Sequence, residues 1–242
     1  MRDRSGSLPR NDGQDMAVDP KEFWEAKLLG WEEGRYGSSD RPLGFLEWIA
    51  NRSSSSLRFR VSIVPELLKP FLSNKSVLEL GCGSGIIAGK FLEYGAASYL
   101  GIDIAESAIE KARSRHANAA RMQFQVGNVA DLPSLSADLI VSLGLFDWLT
   151  DEEIAAVFSQ PGKADFLHAI AERRPGIQQW LHRSYVQLAY GYRTDRYRPR
   201  YFTCDQVRTL AAAGARRPLH VYRNWRLSFG ALVSSLPIGP RL

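Results

Sequence analysis

From about residue 57 onward, short apolar runs alternate with stretches in which apolar residues recur every three or four positions, a pattern that predicts strands and helices in turn. Val77, Leu78 and Leu80 form a buried strand that runs into glycine at positions 81, 83 and 85. Ile86, Ile87, Ala88, Phe91 and Leu92 then predict a helix over 84–94, closed by Gly95. Ser98–Asp103 is the second predicted strand, 106–116 a helix, Met122–Val126 the third strand and 137–143 the fourth. The fourth is apolar at nearly every position, as expected of a strand covered on both faces. Thr150, Asp151 and Glu152 start a helix that reaches Phe158, and 163–172 reads as a fifth strand. A helix over 178–190 follows, then one over 204–213 with Thr203 as its N-cap and Gly214 at its end. Segments 219–223 and 227–235 pair as a terminal hairpin.

Upstream of this alternation the pattern is helical. Phe23, Trp24, Leu28, Leu29 and Trp31 lie in a charged background from Asp19 onward, as on an amphipathic helix that packs against a larger body. Residues 34–41 read as a loop, 43–49 as a short apolar segment, 52–56 as a serine-rich connection, and 57–72 as a helix that Pro65 is expected to kink. The first 18 residues are polar, with nothing to bury, and are expected to be a disordered tail. The predicted organisation is therefore a tail over 1–18, a helical cap over 19–72 and a core over 73–242, with a helix and loop insertion at about 176–202.

Composition adds boundaries to this picture. A chain of 242 residues with 45% hydrophobic content can bury one full α/β core. Cys82 and Cys204 are far apart and have no Cys or His at metal spacing, so no metal site and no disulfide framework is expected. The polar start of the chain and the lack of a long apolar stretch point to a soluble, cytoplasmic protein with no integral membrane segment. Net charge is +5, and its distribution is uneven: ten arginines fall between Arg183 and Arg226, against two acids, Asp195 and Asp205. Such a field attracts anions.

The strand that leads into the glycine turn is the first candidate for chemistry. Glycine there permits positive φ and lets a ligand approach the backbone where a side chain would block it. Asp103 closes the next strand, 24 residues after Glu79, and a carboxylate so placed can accept hydrogen bonds from both hydroxyls of a ribose. Four stretches now stand in order: Glu79-Leu-Gly-Cys-Gly-Ser-Gly85, Asp103, Gly127-Asn128-Val129-Ala130, and Asp138-Leu-Ile-Val-Ser142. Together they resemble the class I S-adenosylmethionine-dependent methyltransferases.

That resemblance implies an α/β, Rossmann-like fold, with a seven-stranded, mostly parallel sheet, helices on both faces and an antiparallel last strand. It implies S-adenosylmethionine as cofactor and S-adenosylhomocysteine as product. Gly81, Cys82, Gly83 and Gly85 would pass beneath the methionine part, Asp103 would hold the ribose and Ile104 would cover one face of the adenine. Asn128 or Val129 would meet the adenine edge. Glu79 would support the turn, and Ser142 and Leu143 would complete the cofactor wall.

Substrate is expected just past the fourth strand, at Asp147 and Trp148. The exocyclic-amine enzymes of the resembled family carry an Asn or Asp followed by Pro-Pro and an aromatic residue at this strand end; the absence of that tetrapeptide argues against methylation of base amines. The cytosine-carbon enzymes of the resembled family need a nucleophilic cysteine near this strand end, and with only Cys82 and Cys204 in the chain the resemblance does not imply that chemistry. A hydroxyl acceptor needs a base, for which Asp147, His182, Glu172 and His168 are the candidates. From Tyr190 to Phe202 arginines interleave with tyrosines, and Tyr192, Arg196 and Arg198 offer flat faces and bidentate forks to an anionic ring compound. The expected acceptor is therefore a small or lipid-linked anion, a sugar intermediate or secondary metabolite, methylated on oxygen. The same run could track an RNA backbone, which makes an RNA methyltransferase the alternative enzyme, although no separate nucleic-acid module accompanies it. A catalytically silent binding protein is a third reading, opposed by the intact glycine turn and Asp103.

Overall fold

The strand leading into the glycine turn, β1 (Ser76–Leu80), lies between β2 (Ser98–Asp103) and β4 (Leu139–Leu143), paired in parallel with both. The computed structural model describes residues 19–36, 45–131, 136–159, 164–174, 179, 199–214, 217–228 and 230–239. Its sheet has seven strands in the order β3-β2-β1-β4-β5-β7-β6, completed by β3 (Met122–Val126), β5 (Asp165–Ala171), β6 (His220–Tyr222) and β7 (Gly230–Ser234). β7 runs antiparallel to both of its neighbours, as the sequence led one to expect of the last strand. The strand order reverses between β1 and β4, and at such a point an open α/β sheet forms its ligand crevice.

Alternation along the strands sorts side chains between two apolar layers. Val77 joins Phe91, Ile109 and Ala112 on one face, where α3 (Ala88–Glu93) and α4 (Glu106–Arg115) pack. Leu78 and Leu80 join Ile154, Val157 and Val207 on the other, beneath α5 (Asp151–Phe158) and α6 (Cys204–Gly214). Both of the latter helices start on capping boxes. Thr150 Oγ1 accepts from Glu153 N at 3.2 Å while Glu153 accepts from Thr150 N at 2.7 Å, and Thr203 and Gln206 repeat the exchange.

The N-terminal region differs most from expectation. α1 (Pro20–Tyr36) forms as predicted, but the short apolar segment, the serine connection and the third helix are one continuous helix, α2 (Phe45–Leu68). Serine is a middling helix former rather than a breaker, and Phe59, Val64 and Leu68 anchor the C-terminal half of α2 in the same core layer as Val77 and Phe91. Pro65 lies inside this helix. The helix after the glycine turn starts at Ala88 rather than at residue 84, because positive φ at three glycines holds the preceding residues in turns. The tail over 1–18 and most of the insertion expected at 176–202, with its predicted helix over 178–190, lie outside the described residues. No helix among the described residues is long and apolar enough to cross a membrane.

Candidate functional site

The glycine turn is fixed from two sides. Gly81 N and Cys82 N both donate to Ile102 O, at 2.8 and 3.1 Å, tying the turn to the end of β2. From the C-terminal end of α4, Arg115 donates to Ser84 Oγ at 2.8 Å, and His116 Nε2 donates to Gly85 O at the same distance. Gly81, Gly83 and Gly85 have φ of +68°, +53° and +68°, values that L side chains rarely adopt. At Gly83 a Cβ would also collide with the carboxylate of Glu32, and at Gly85 it would meet the Phe124 ring at 2.8 Å.

Asp103 is buried at the end of β2, with Oδ2 accepting from Gly83 N at 2.8 Å and Oδ1 from Ala105 N at 3.0 Å. Burial pushes this carboxyl up, while the Ala105 and Gly83 amides pull it down. Each oxygen retains a second lone pair, so the carboxylate can still accept from two ribose hydroxyls. Ile104 beside it is half-buried. Gly127 N donates to Asp103 O at 2.9 Å, which brings the loop after β3 to the same corner, with Asn128 exposed and Val129 buried. The cradle and its open lone pairs fit the nucleoside and amino-acid parts of S-adenosylmethionine.

Glu79 lies behind the turn. Burial drives its carboxyl up to about 8 against the hydrogen bond from Tyr99, whose hydroxyl donates to Oε2 at 2.5 Å. The charges of Asp103 and Glu32 add to the rise, so Glu79 is a protonated strut at neutral pH. Cys82 is also buried, and burial raises its thiol well above the ordinary range.

The structure separates the candidate bases. His168 faces Ser142 across β4 and β5, and Ser142 Oγ lies 2.9 Å from His168 Nδ1. The imidazole stacks on Phe146 and Phe166, is 1% exposed, and is held neutral by burial, with its pKa near 3. It is therefore a core residue with no path to a ligand, and the Ser142 hydroxyl, spent on it, is equally enclosed. Leu143 packs into the other apolar layer. Glu172, directly after β5, is the hub of an ion-pair cluster: Arg223 and Arg174 bind its carboxylate and the Cys204 thiol donates to it. Burial would raise Glu172, but these partners outweigh it and hold it at about 2, so it is an anion with occupied lone pairs rather than a proton acceptor.

Asp147 is placed differently. It follows β4, is half-buried, and uses Oδ1 to accept from Ala171 N at 2.7 Å. Burial pushes its carboxyl up to about 6, tempered by the Ala171 amide and by the charge of Arg60. Trp148 lies beneath α1, its ring 4.9 Å from Trp24 and 5.9 Å from Phe23. His182, Tyr192, Arg196 and Arg198 lie outside the described residues. The described end of their run does reach the site, since Arg200 N donates to Asp147 O at 2.7 Å. Much of the basic field is spent internally: Arg200, Arg208, Arg217 and Arg223 form ion pairs, and Arg226 covers the Phe59 ring.

Three residues at this cleft escaped the sequence reading. Glu32 arrives on α1 and accepts from Ser84 N at 3.0 Å, while Arg60 arrives on α2 and presses against Gly144, whose φ is +86°. No local pattern marks either charge as different from its solvent-facing neighbours. Only Gly144, directly after β4, carried a visible signal.

A sheet of this order, with a glycine turn after β1 and an acid at the end of β2, has the Rossmann-like fold of solved methyltransferases, and residues 77–163 match the family model of the methyltransferase domain. Among curated proteins, the chain is 36% identical over 102 residues to the ribosomal protein L11 methyltransferase of Aeromonas hydrophila, covering 41% of this chain and 34% of that protein. It is 35% identical over 85 residues to the ubiquinone biosynthesis O-methyltransferase of Neisseria meningitidis, covering 33% of this chain and 36% of that protein. The matched segments thus span about a third of the length of these relatives. Among solved structures, magnesium protoporphyrin IX methyltransferase from Synechocystis PCC 6803 with bound S-adenosylhomocysteine superposes with a TM-score of 0.64 at 16% identity, over 88% of this chain and 96% of that one.

Proposed function

We propose that this chain transfers a methyl group from S-adenosylmethionine to a hydroxyl of a small or lipid-linked anionic acceptor. The observation that carries the oxygen assignment is Asp147, a half-buried carboxyl at the carboxyl end of β4 with its pKa raised to about 6. A base poised near neutral pH can remove a hydroxyl proton as the new bond forms. The anionic character rests on the arginine and tyrosine run that ends, through Arg200, on the backbone of Asp147.

When bound, the cofactor supplies a methyl group on a sulfonium, a leaving group that needs no covalent help. The residues of the chain position and enclose. The glycine turn would admit the amino-acid part, Asp103 would hold the ribose hydroxyls, and the loop at Asn128 and Val129 would border the adenine. Trp24 and Phe23 pack on Trp148, the residue after Asp147, and this aromatic cluster would help to shield the reacting groups from water. The ubiquinone biosynthesis O-methyltransferase match supports oxygen chemistry, although it and the ribosomal protein L11 methyltransferase match both fall on partial segments of those proteins.

Incubation with radiolabelled cofactor and fractionated extracts tests this reading. Label is expected in small or lipid-linked acids, in a bond stable to base as an ether is. Label confined to RNA or protein would sink it.

A further inference from the structure

We propose that Arg200 is a positioning residue for the transfer: it splints the loop after β4 at Asp147, Leu149 and Asp151, and so fixes where the Asp147 carboxyl points. Its role rests on the reading of Asp147 as the base. Arg200 lies outside residues 77–163, the segment that matches the methyltransferase domain.

Asp147 stands in a closed circuit of hydrogen bonds. Ala171 N, at the end of β5, donates to Asp147 Oδ1 at 2.7 Å, and Ala171 O accepts from Phe202 N at 2.9 Å. Arg200 N completes the circuit by donating to Asp147 O at 2.7 Å. The carboxyl and the carbonyl of one residue are thus held by β5 and by segment 200–202. That segment is itself anchored, since Phe202 is 2% exposed and its carbonyl accepts from Arg173 N at 2.7 Å.

The Arg200 side chain extends this hold along the loop. Its guanidinium donates to Leu149 O through Nη1, pairs with Asp151 through Nη2, and lies 4.9 Å from the centre of the Phe202 ring. Asp147, Leu149 and Asp151 alternate along the connection from β4 to α5, so one residue grips that connection at three points. The planar fork of arginine suits two acceptors in fixed directions better than a point charge does.

Arg200 does not act on the carboxyl through its charge. The charged group felt by Asp147 is Arg60 of α2, while Glu172, next after Ala171, is spent on Arg174 and Arg223. What Arg200 governs is the position and burial of Asp147. The Arg200 and Asp151 side chains are 38% and 58% exposed, and an ion pair so open adds little to stability. Position counts for more, because transfer in a line tolerates little misplacement of the groups that serve it. Arg200 also stands near the end of the arginine and tyrosine run proposed to receive the acceptor's anion, so the splint joins acceptor recognition to the base.

Carbon-13 NMR of the full chain with labelled aspartate carboxyl groups tests the splint, with Asp147→Asn and Asp103→Asn identifying those two signals. In the wild type the Asp147 signal should titrate near pH 6, where burial holds it. In Arg200→Met a loosened loop admits water, and the midpoint should fall towards 3.8 by about one pH unit or more, with the Asp103 signal unmoved. Arg200→Lys, which keeps the charge and loses the fork, should shift it in the same direction and serves if the methionine variant does not fold. Transfer of label from radiolabelled S-adenosylmethionine to the small-acid fraction of an extract should slow by about 10-fold or more at pH 8. The loss should be smaller at pH 5, where the variant's base stays ionised, and cofactor affinity by calorimetry should be unchanged. An Asp147 midpoint that stays at the wild-type value or rises, or a rate loss equal at pH 5 and pH 8, would overturn the splint. An Asp147→Asn protein with the wild-type rate would instead overturn Asp147 as the base.

Discussion

The backbone N–H of Ala171 donates to Asp147 Oδ1 at 2.7 Å, so the last residue of β5 pins the carboxyl that follows β4. One oxygen is fixed and burial raises the half-buried group to about 6.

Asp147→Asn is expected to keep this hydrogen bond while removing the base. The turnover number should fall by about 10²-fold or more with cofactor affinity unchanged, and the acidic limb of the rate profile near pH 6 should disappear. Steady-state kinetics from pH 5 to 9 measure both. A variant that retains the wild-type rate and profile shows that Asp147 is not the base.

Asp103 accepts from Gly83 N and is the carboxylate proposed to hold the ribose. Asp103→Ala should weaken S-adenosylmethionine by about 10- to 100-fold by calorimetry, whereas Asp103→Asn should lose less because it keeps an acceptor. Equal affinity in wild type and Asp103→Ala would remove the ribose role.

Glu79 predicts a slope in stability. Its carboxyl ionises near 4.5 in the unfolded chain but holds its proton to about 8 when folded, so the native state carries the extra proton between these values. Stability from this group is therefore highest below pH 4.5, falls by up to about 1.4 kcal/mol per pH unit through the window, and levels off above 8. Asp147, raised from 3.8 to about 6, adds a slope of the same sign at lower pH. Urea denaturation at several pH values should show Glu79→Gln flatter than wild type, most clearly from pH 6 to 8. Parallel curves would contradict the buried protonated acid.

Glu172 acts in the opposite sense. Its carboxyl ionises at about 2 when folded and 4.5 when unfolded, so its stabilisation is present above 4.5 and is lost as the pH falls towards 2. Glu172→Gln should cost roughly 1–3 kcal/mol at pH 7, a figure moderated because the Arg174 and Arg223 side chains are one third to one half exposed. Thermal melts at pH 7 and pH 3 should show the difference shrinking in acid. If turnover collapses while stability is unchanged, the residue belongs to the chemistry after all.

Charge reversal at Arg196 and Arg198 is expected to raise the Michaelis constant for the acceptor and to leave cofactor affinity alone. Unchanged acceptor kinetics would return this run to ordinary surface.

The sequence by itself determined the glycine turn, the strand pattern and the acid at the end of β2. These rest on local facts: positive φ at Gly81, Gly83 and Gly85, alternation along each strand, and Asp103 at a strand end. It also indicated the antiparallel last strand through the terminal hairpin and the family resemblance. Tertiary structure decided what each titratable group can do. Asp147, His168 and Glu172 are all candidate bases in the sequence. Half-burial raises the first to about 6, full burial among rings silences the second, and two arginines from distant positions hold the third as an anion. The same holds for Glu32 and Arg60, 51 and 23 residues before Gly83, which only the packing of α1 and α2 brings to the turn and the adjoining Gly144. Backbone conformation is written largely by near neighbours, whereas charge state and contact depend on groups that the fold alone brings within a few ångströms.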